Sequence, residues 1–331
     1  MFASVFLMRT VTYTQLLRET LEAALRRDPR VFLMGEDIGV YGGAFGVTRG
    51  LVKEFGTERV RDTPISEQAF VGMAIGAAAA GSRPVVEIMF MDFIALAADQ
   101  LINMAAKLHY IYGIPCPLII RTPNGGGRGY GATHSQSLER LFAGVPGIQI
   151  VAPATALDAS ALLQTALLGS NPVLFLEHKL LYPMRWNVPE GLPVPQSFGQ
   201  ARVTREGAHV TLIAWSGMVP QAERAAEMLA VEGLHAEVID LRTLAPLDTG
   251  TIVASARKTG RVLIVEEGPR TGGFAAEIAC RIFEAAHDCL DAPIRRLACP
   301  DCPLPAARTL EAACLPNAAS IAAEARTLTG K

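Results

Sequence analysis

The sequence predicts an α/β protein of two domains, each built on a mainly parallel sheet. Three observations carry this. Short apolar runs alternate with longer helical stretches along the chain. The alternation breaks once, at 187–199, where Pro189, Pro193 and Pro195 interrupt a segment with no period. The chain has 331 residues, 50% of them hydrophobic, enough to bury two cores. The boundaries read as 8–186 for the first domain, 187–206 for a linker and 207–331 for the second.

The elements follow in order. Thr12 and Gln15 form a capping box directly after Met8, and the helix behind them carries Leu16, Leu17, Leu21, Ala24 and Leu25 until Pro29 closes it. Buried strands are predicted at 31–34, 85–89, 118–121, 148–151 and 173–176, with helices at 70–80, 94–112 and 156–168 between them. After the linker the pattern restarts. Strands at 210–214, 236–239, 262–265 and 294–297 enclose helices at 219–232, 248–256 and 273–286.

Composition excludes several classes. A net charge of −2 gives no electrostatic case for nucleic acid or an anionic membrane. The longest apolar stretch, 69–80, is broken by Gly72 and Gly76 and falls short of the ~20 residues a membrane span needs. Residues 1–7 lack a basic leader and a cleavage site, and read as an upstream start or a frayed tail. The six cysteines read as reduced thiols of a cytoplasmic protein. Cys299 and Cys302 form a CxxC, but a structural zinc site needs two more ligands, and Pro300 and Pro303 make the pair a turn.

In open parallel sheets ligands bind beyond the carboxyl ends of the strands, so the polar residues there are the site candidates. Glu67 opens an otherwise small, apolar helix. It is either dipole support in the first turn behind a Ser66 cap, or a poorly solvated carboxyl able to hold a proton near neutral pH. Gly72 and Gly76 on that helix allow close packing, within the chain or across a subunit boundary. The glycine run 125–131 lacks the Lys-Ser/Thr of a P-loop and fits GxGxxG/A only loosely, so a mobile lining loop is the better reading than a dinucleotide site. His134 closes that loop as an acid/base or substrate-contact candidate. No spacing of histidines and carboxylates points to a catalytic metal.

Several long strings then stand out: MGEDIGVYGGAFGVTRGL, DTPISEQAFVGMAIGAA, RPVVEIMFMDF, DQLINMAAK, GATHSQSLE, NPVLFLEHKLLY, AEVIDLRTLAPLD and KTGRVLIVEE. In this order, from about Met8 onward, they resemble the beta subunits of thiamine-diphosphate-dependent pyruvate, acetoin and branched-chain 2-oxo acid dehydrogenases. The resemblance implies a pyrimidine-binding thiamine-diphosphate domain followed by a transketolase C-terminal-like domain. It implies an α2β2 heterotetramer serving a lipoylated acyltransferase core. The second domain is the expected docking surface, because the strand ends of the first are committed to the cofactor and the second adds no catalytic cluster.

For Glu67, in TPISE, the resemblance implies a hydrogen bond to a pyrimidine nitrogen of the cofactor, favouring the imino form that deprotonates the thiazolium. Glu36, Ile65, Ser66 and Met89 are implied around the cofactor. Phe90, Met91, Asp92 and Phe93 are implied on the cofactor and substrate side, with Phe93 against the aminopyrimidine. His134 matches the histidine near the substrate and the acylation of lipoyl. A potassium ion held by backbone carbonyls would correspond to Leu118, Ala166, Leu167, Gly169 and Asn171, with Gly169 in place of an acidic residue. The GDG…N signature for Mg²⁺ and the diphosphate is missing, which agrees with a beta subunit whose alpha partner carries it. The strings ISEQAFVG and MFMDF look nearer to pyruvate and acetoin enzymes than to branched-chain ones, and do not separate pyruvate from acetoin. A stand-alone nucleotide-binding oxidoreductase is opposed by the poor glycine match, and an inactive scaffold by the intact Glu67 and His134.

Overall fold

A computed structural model describes residues 7–330; the reading of 1–7 as a start or tail falls, Leu7 apart, outside the described residues. In chain order the elements are β1 (Met8–Thr12), α1 (Tyr13–Arg27), β2 (Val31–Gly35), α2 (Leu51–Phe55), β3 (Val60–Asp62), α3 (Glu67–Ala79), β4 (Arg83–Glu87), α4 (Ala106–Tyr112), β5 (Ile119–Asn124), α5 (Arg140–Ala143), β6 (Gln149–Val151), α6 (Ala156–Leu168), β7 (Val173–His178) and β8 (Arg185–Pro189). They continue with β9 (Arg202–Arg205), β10 (Val210–Ala214), α7 (Met218–Val231), β11 (Ala236–Asp240), β12 (Thr243–Ala245), α8 (Thr249–Thr259), β13 (Val262–Pro269), α9 (Phe274–Ala286), β14 (Arg295–Cys299), α10 (Arg308–Cys314) and α11 (Ala318–Thr329).

The chain forms two units, and the division is not linear. The first comprises the chain up to Pro123 together with Val145–Phe198; the second comprises Asn124–Gly144 and everything from Gly199. The glycine run, placed within 8–186 by the linear reading, therefore packs with the later part of the chain.

In the first unit strands lie in the order β6-β7-β5-β4-β2-β3. β2 pairs in parallel with β3 and β4, β4 with β5, and β6 with β7. Helices α1 and α6 bury Leu16, Leu17, Leu21, Leu162 and Leu163 in the main core, which follows from their apolar spacing. Between them the buried hydroxyls of Thr20 and Ser160 meet at 2.6 Å. The capping box is present: Gln15 N–H donates to Thr12 Oγ1 (3.1 Å) and Thr12 N–H to Gln15 Oε1 (2.8 Å).

Three local readings change. Met8 leads into a strand, β1, antiparallel to β8, so the stretch read as the start of the linker is ordered by a partner far upstream. The helix predicted over 94–112 is a 3₁₀ segment (Met91–Ala97), a π segment (Gln100–Ala105) and then α4, because apolar spacing alone does not set the width of a turn. Helices α10 and α11 end the chain, the latter opened by an Asn317–Ser320 capping box. In the second unit the order is β14-β13-β10-β11-β9, parallel except for β9 against β11. Among the described residues no helix is long and apolar enough to cross a membrane.

Candidate functional site

Two carboxyls converge where β2 ends and α3 begins. Glu67 is the first residue of α3 and is buried, only 4% exposed. The capping alternative fails in part: Ser66 makes no side-chain cap bond, and its hydroxyl turns back to the Pro64 carbonyl at 3.3 Å. Glu36, also buried, follows β2 and accepts the Ser66 backbone N–H. Burial, then the nearby charge of Glu67, then Asp37, push the Glu36 carboxyl above the usual range. Asp37 itself is held in the left-handed region at φ 55°, a costly conformation for a non-glycine residue and one common at sites. Glu36 Oε1 is buried without a hydrogen-bond partner. A buried acceptor of this kind costs free energy until a donor reaches it. Ile65, Ser66, Glu67, Gly72 and Gln100 edge an open cavity of about 690 Å³.

The strand end after β4 supplies aromatic walls. Phe90 and Phe93 pack edge to face at 5.8 Å, Phe45 meets Phe90 at 6.0 Å, and Phe45 stacks on Tyr182 at 4.7 Å. The Lys179 ammonium lies 5.2 Å from the centre of the Phe90 ring. Met89, Phe90 and Phe93 are half-buried, whereas Asp92 is buried and Met91 fully so. The expectation that Met91 lines the substrate side therefore needs correction: its side chain belongs to the packing beneath the 3₁₀ segment, and the partly open surface is that of Phe90 and Phe93.

His134, in the second unit, is half-buried, and its Nδ1 lies 3.0 Å from Thr133 Oγ1. The glycine run before it is not a phosphate cradle. Gly127 and Gly129 donate their N–H groups to Glu311 (2.9 and 2.7 Å), and Gly126 donates to Glu267. Carboxylates already occupy the donors an anion would need. Glu311 and Glu267 were not legible as partners of this loop, since about 140 to 180 residues separate them from it.

The chain is similar to known proteins along most of its length. The transketolase pyrimidine-binding domain matches residues 9–185, and the transketolase C-terminal domain matches 199–321. A pyruvate dehydrogenase E1 component subunit beta of Rickettsia felis is 45% identical over 314 residues, 94% of this chain and 96% of that protein. The mitochondrial subunit beta-1 of Arabidopsis thaliana is 44% identical over 315 residues, covering 93% and 86% of the two chains. The chain belongs to the pyruvate dehydrogenase E1 beta-subunit family. In fold it is also similar to a split-gene transketolase solved as an inactive beta4 tetramer, with a TM-score of 0.77, 23% identity, and coverage of 97% and 98%.

Within this family's frame, a charged network missed from the sequence lies under the site. Arg121, on β5 and only 1% exposed, donates Nε and Nη2 to Glu177 and Nη1 to Glu87, each at 2.7 Å. Tyr182 donates its hydroxyl to Glu177 at 2.7 Å. Burial opposes the Arg121 charge, but Glu177 and Glu87 outweigh it and hold the guanidinium pKa above its ordinary value. Burial likewise raises Glu87, against the pull of Arg121, and the Ala44 backbone N–H also serves Glu87. At Gly43, φ +79°, a Cβ would stand 2.7 Å from Glu87 Oε1. Glycine is required there, and the loop after Glu36 is fastened to the strand that leads to Phe90. The signal was present: Glu87, Arg121 and Glu177 each interrupt an apolar strand, and buried charges need partners.

The carbonyls named for potassium have protein donors. Arg83 Nη1 donates to Leu167 O (2.9 Å) and Gly169 O (2.8 Å), Val173 N–H to Leu118 O (2.8 Å), and Gly169 N–H to Ala166 O (3.1 Å). With a guanidinium already directed at two of them, the set, which also includes Asn171, is a poor fit for a further cation.

Proposed function

We propose that this chain is the beta half of a thiamine-diphosphate-dependent enzyme that decarboxylates pyruvate oxidatively and passes the acetyl group to lipoyl. The observation that carries the reading is the buried pair of Glu67 and Glu36, with an unpartnered Glu36 oxygen beside the α3 N-terminus. An aminopyrimidine brings both a ring nitrogen and an amino donor, and it suits two adjacent carboxyls of which one holds a proton. Thiamine diphosphate, when bound, supplies the electron sink for cleaving the bond beside the oxo group.

The chain's own residues then bind, orient and move protons. Glu67 exchanges a proton with a pyrimidine nitrogen, and its buried place at the start of α3 fixes its position. Glu36 accepts from the amino side. Ile65, Ser66 and Met89 flank the ring, and Phe90 and Phe93 exclude water. Asp92 supports the turn that carries Phe93. His134 serves proton transfer or charge stabilisation at the substrate and during lipoyl acylation.

In this reading Mg²⁺ and the diphosphate fall to an alpha subunit in an α2β2 assembly in the cytoplasm. Ile65, Met73 and Leu96, at 85%, 65% and 59% exposed, leave an apolar face around α3, and nothing within 4 Å abuts the position a Cβ would take at Gly76. At Gly76 both support packing across a subunit boundary, whereas a Cβ at Gly72 would meet Gln100 Oε1 at 3.2 Å within the chain. The names of the relatives support pyruvate over acetoin or a branched-chain acid. The second unit is the surface proposed to dock the lipoylated acyltransferase core.

Glu67→Gln tests the reading. Glutamine keeps a hydrogen bond but cannot exchange a proton as a carboxyl does. With the alpha partner present, turnover is expected to fall by about 10²–10⁴ with the fold intact. Decarboxylation near the wild-type rate would remove Glu67 from the chemistry.

A further inference from the structure

The loop that leads to His134 is mostly glycine, so few side chains hold it. Its backbone alternates: φ is 84°, 88°, 71° and 78° at Gly125, Gly127, Gly129 and Gly131, while the residues between them lie outside the left-handed region. N–H groups in such an alternation converge on a concavity that takes an anion. Here the anion is the protein's own. Gly127 donates to Glu311 Oε1 at 2.9 Å and Gly129 to Glu311 Oε2 at 2.7 Å, and the Glu311 side chain is buried. Gly126 donates to Glu267. The loop, read from the sequence as mobile, is therefore fastened, and all of these residues belong to the second unit.

The fastening extends to both ends of the contact. Glu311 lies on α10, and its own N–H donates to Ala307 O at 2.9 Å. Just before that helix, Ala306 O would stand 2.9 Å from a Cβ at Gly129, and Ala306 Cβ 3.4 Å from one at Gly131. Leu304 and Leu315 close over Gly126, at 3.2 and 3.3 Å from the position of its Cβ. At the other end the His134 N–H donates to Gly131 O at 3.3 Å. A buried carboxylate needs its donors as much as the loop needs an acceptor, so loop and helix order one another. Without Glu311 the glycines regain the conformational freedom of residues that have no Cβ.

We propose that Glu311 is a positioning residue: its carboxylate is the resident anion of the glycine loop, and by holding Gly127 and Gly129 it sets the place of His134. The part that concerns turnover rests on the role proposed above for His134. Glu311 touches no reacting atom in this account. It acts through the backbone, and a displacement of about 1 Å at an acid/base group costs about 10² in rate.

The test pairs amide hydrogen exchange on the full chain with turnover in the presence of the alpha partner. Glu311→Ala is expected to speed exchange at Gly127 and Gly129 about tenfold or more, with β10 and α7 unchanged. Acetate supplies the missing carboxylate and is expected to restore protection, whereas sodium chloride at equal ionic strength is not. Glu311→Gln, which serves if the alanine variant does not fold, keeps the volume but one acceptor oxygen, so one of the two glycines is expected to exchange faster and the other not. In turnover, Glu311→Ala is expected to lower kcat about 10–100-fold with thiamine diphosphate affinity unchanged, and acetate to raise it again. Adding Glu311→Ala to His134→Ala is expected to cost nothing further. Wild-type exchange at both glycines in both variants, or protection that acetate does not restore, would overturn the resident anion. A further loss in the double variant, or an intact kcat in Glu311→Ala where His134→Ala is impaired, would overturn the action through His134. Wild-type turnover by His134→Ala would strike the reading of His134 and the positioning role with it, while exchange still decides whether Glu311 holds the loop.

Discussion

Arg121→Met is the sharpest perturbation of the scaffold under the site. The guanidinium is buried and makes three contacts of 2.7 Å to two carboxylates that are themselves 6% and 0% exposed. Methionine fills the volume but leaves Glu177 to the Tyr182 hydroxyl and Glu87 to the Ala44 N–H. Breaking a buried pair by removing one partner costs about 3–5 kcal/mol, because the remaining charge stays desolvated. For a guanidinium m-value of about 4 kcal/mol/M, this moves the unfolding midpoint down by about 1 M.

Trp186, packed on Tyr13 at 6.0 Å, reports the first unit once Trp215, the other of the two tryptophans, is replaced by Phe. The loss should depend on pH. Burial already raises the Glu87 carboxyl and Arg121 opposes that rise, so without Arg121 its folded pKa lies further above the unfolded one. The stabilising protonated form is then complete below the unfolded value and is lost as pH rises through the folded value. The variant should therefore approach the wild type near about pH 5 and fall furthest behind near about pH 8. A midpoint shift under about 0.2 M, or an equal loss at both pH values, would refute the reasoning.

Other outcomes follow from the same geometry. His134→Ala should lower lipoyl acylation or substrate turnover by about 10²–10⁴ while leaving cofactor affinity nearly unchanged; equal rates with lipoyl and with an artificial acceptor, both at the wild-type level, would leave His134 without a role. Burial pushes Glu266 up to about 7 from 4.5, so its protonated form stabilises the fold fully below pH 4.5 and that contribution fades as pH rises through about 7. Glu266→Gln should therefore match the wild type near about pH 5 and exceed it by up to about 3 kcal/mol near about pH 8; denaturant midpoints at both pH values check this, and a variant no more stable at the higher one counts against it. The isolated chain should bind thiamine diphosphate only weakly and turn nothing over, because the diphosphate's charge needs a cation and donors to replace its hydration; calorimetry with and without the alpha partner decides, and micromolar binding with turnover by the lone chain would end the half-site proposal.

Features that depend on near neighbours could be read directly from the chain. The strands at 31–35, 210–214 and 236–240 were legible because each is a short apolar run between helical periods, and the α1 capping box because both its partners lie within one turn. Glu67 stood out as the one carboxyl at the head of an apolar helix. Tertiary structure decided what depends on distant partners. It made 185–189 a strand through pairing with Met8–Thr12, and it gave the N–H groups of the glycine loop to Glu267 and Glu311. It also set Arg121 between carboxylates 34 and 56 residues away. Burial turns such residues from solvated side chains into obligatory pairs, since a desolvated charge or donor must find its counterpart wherever the fold brings one. Periodicity tells which residues go inside; only the packed chain tells which of them meet.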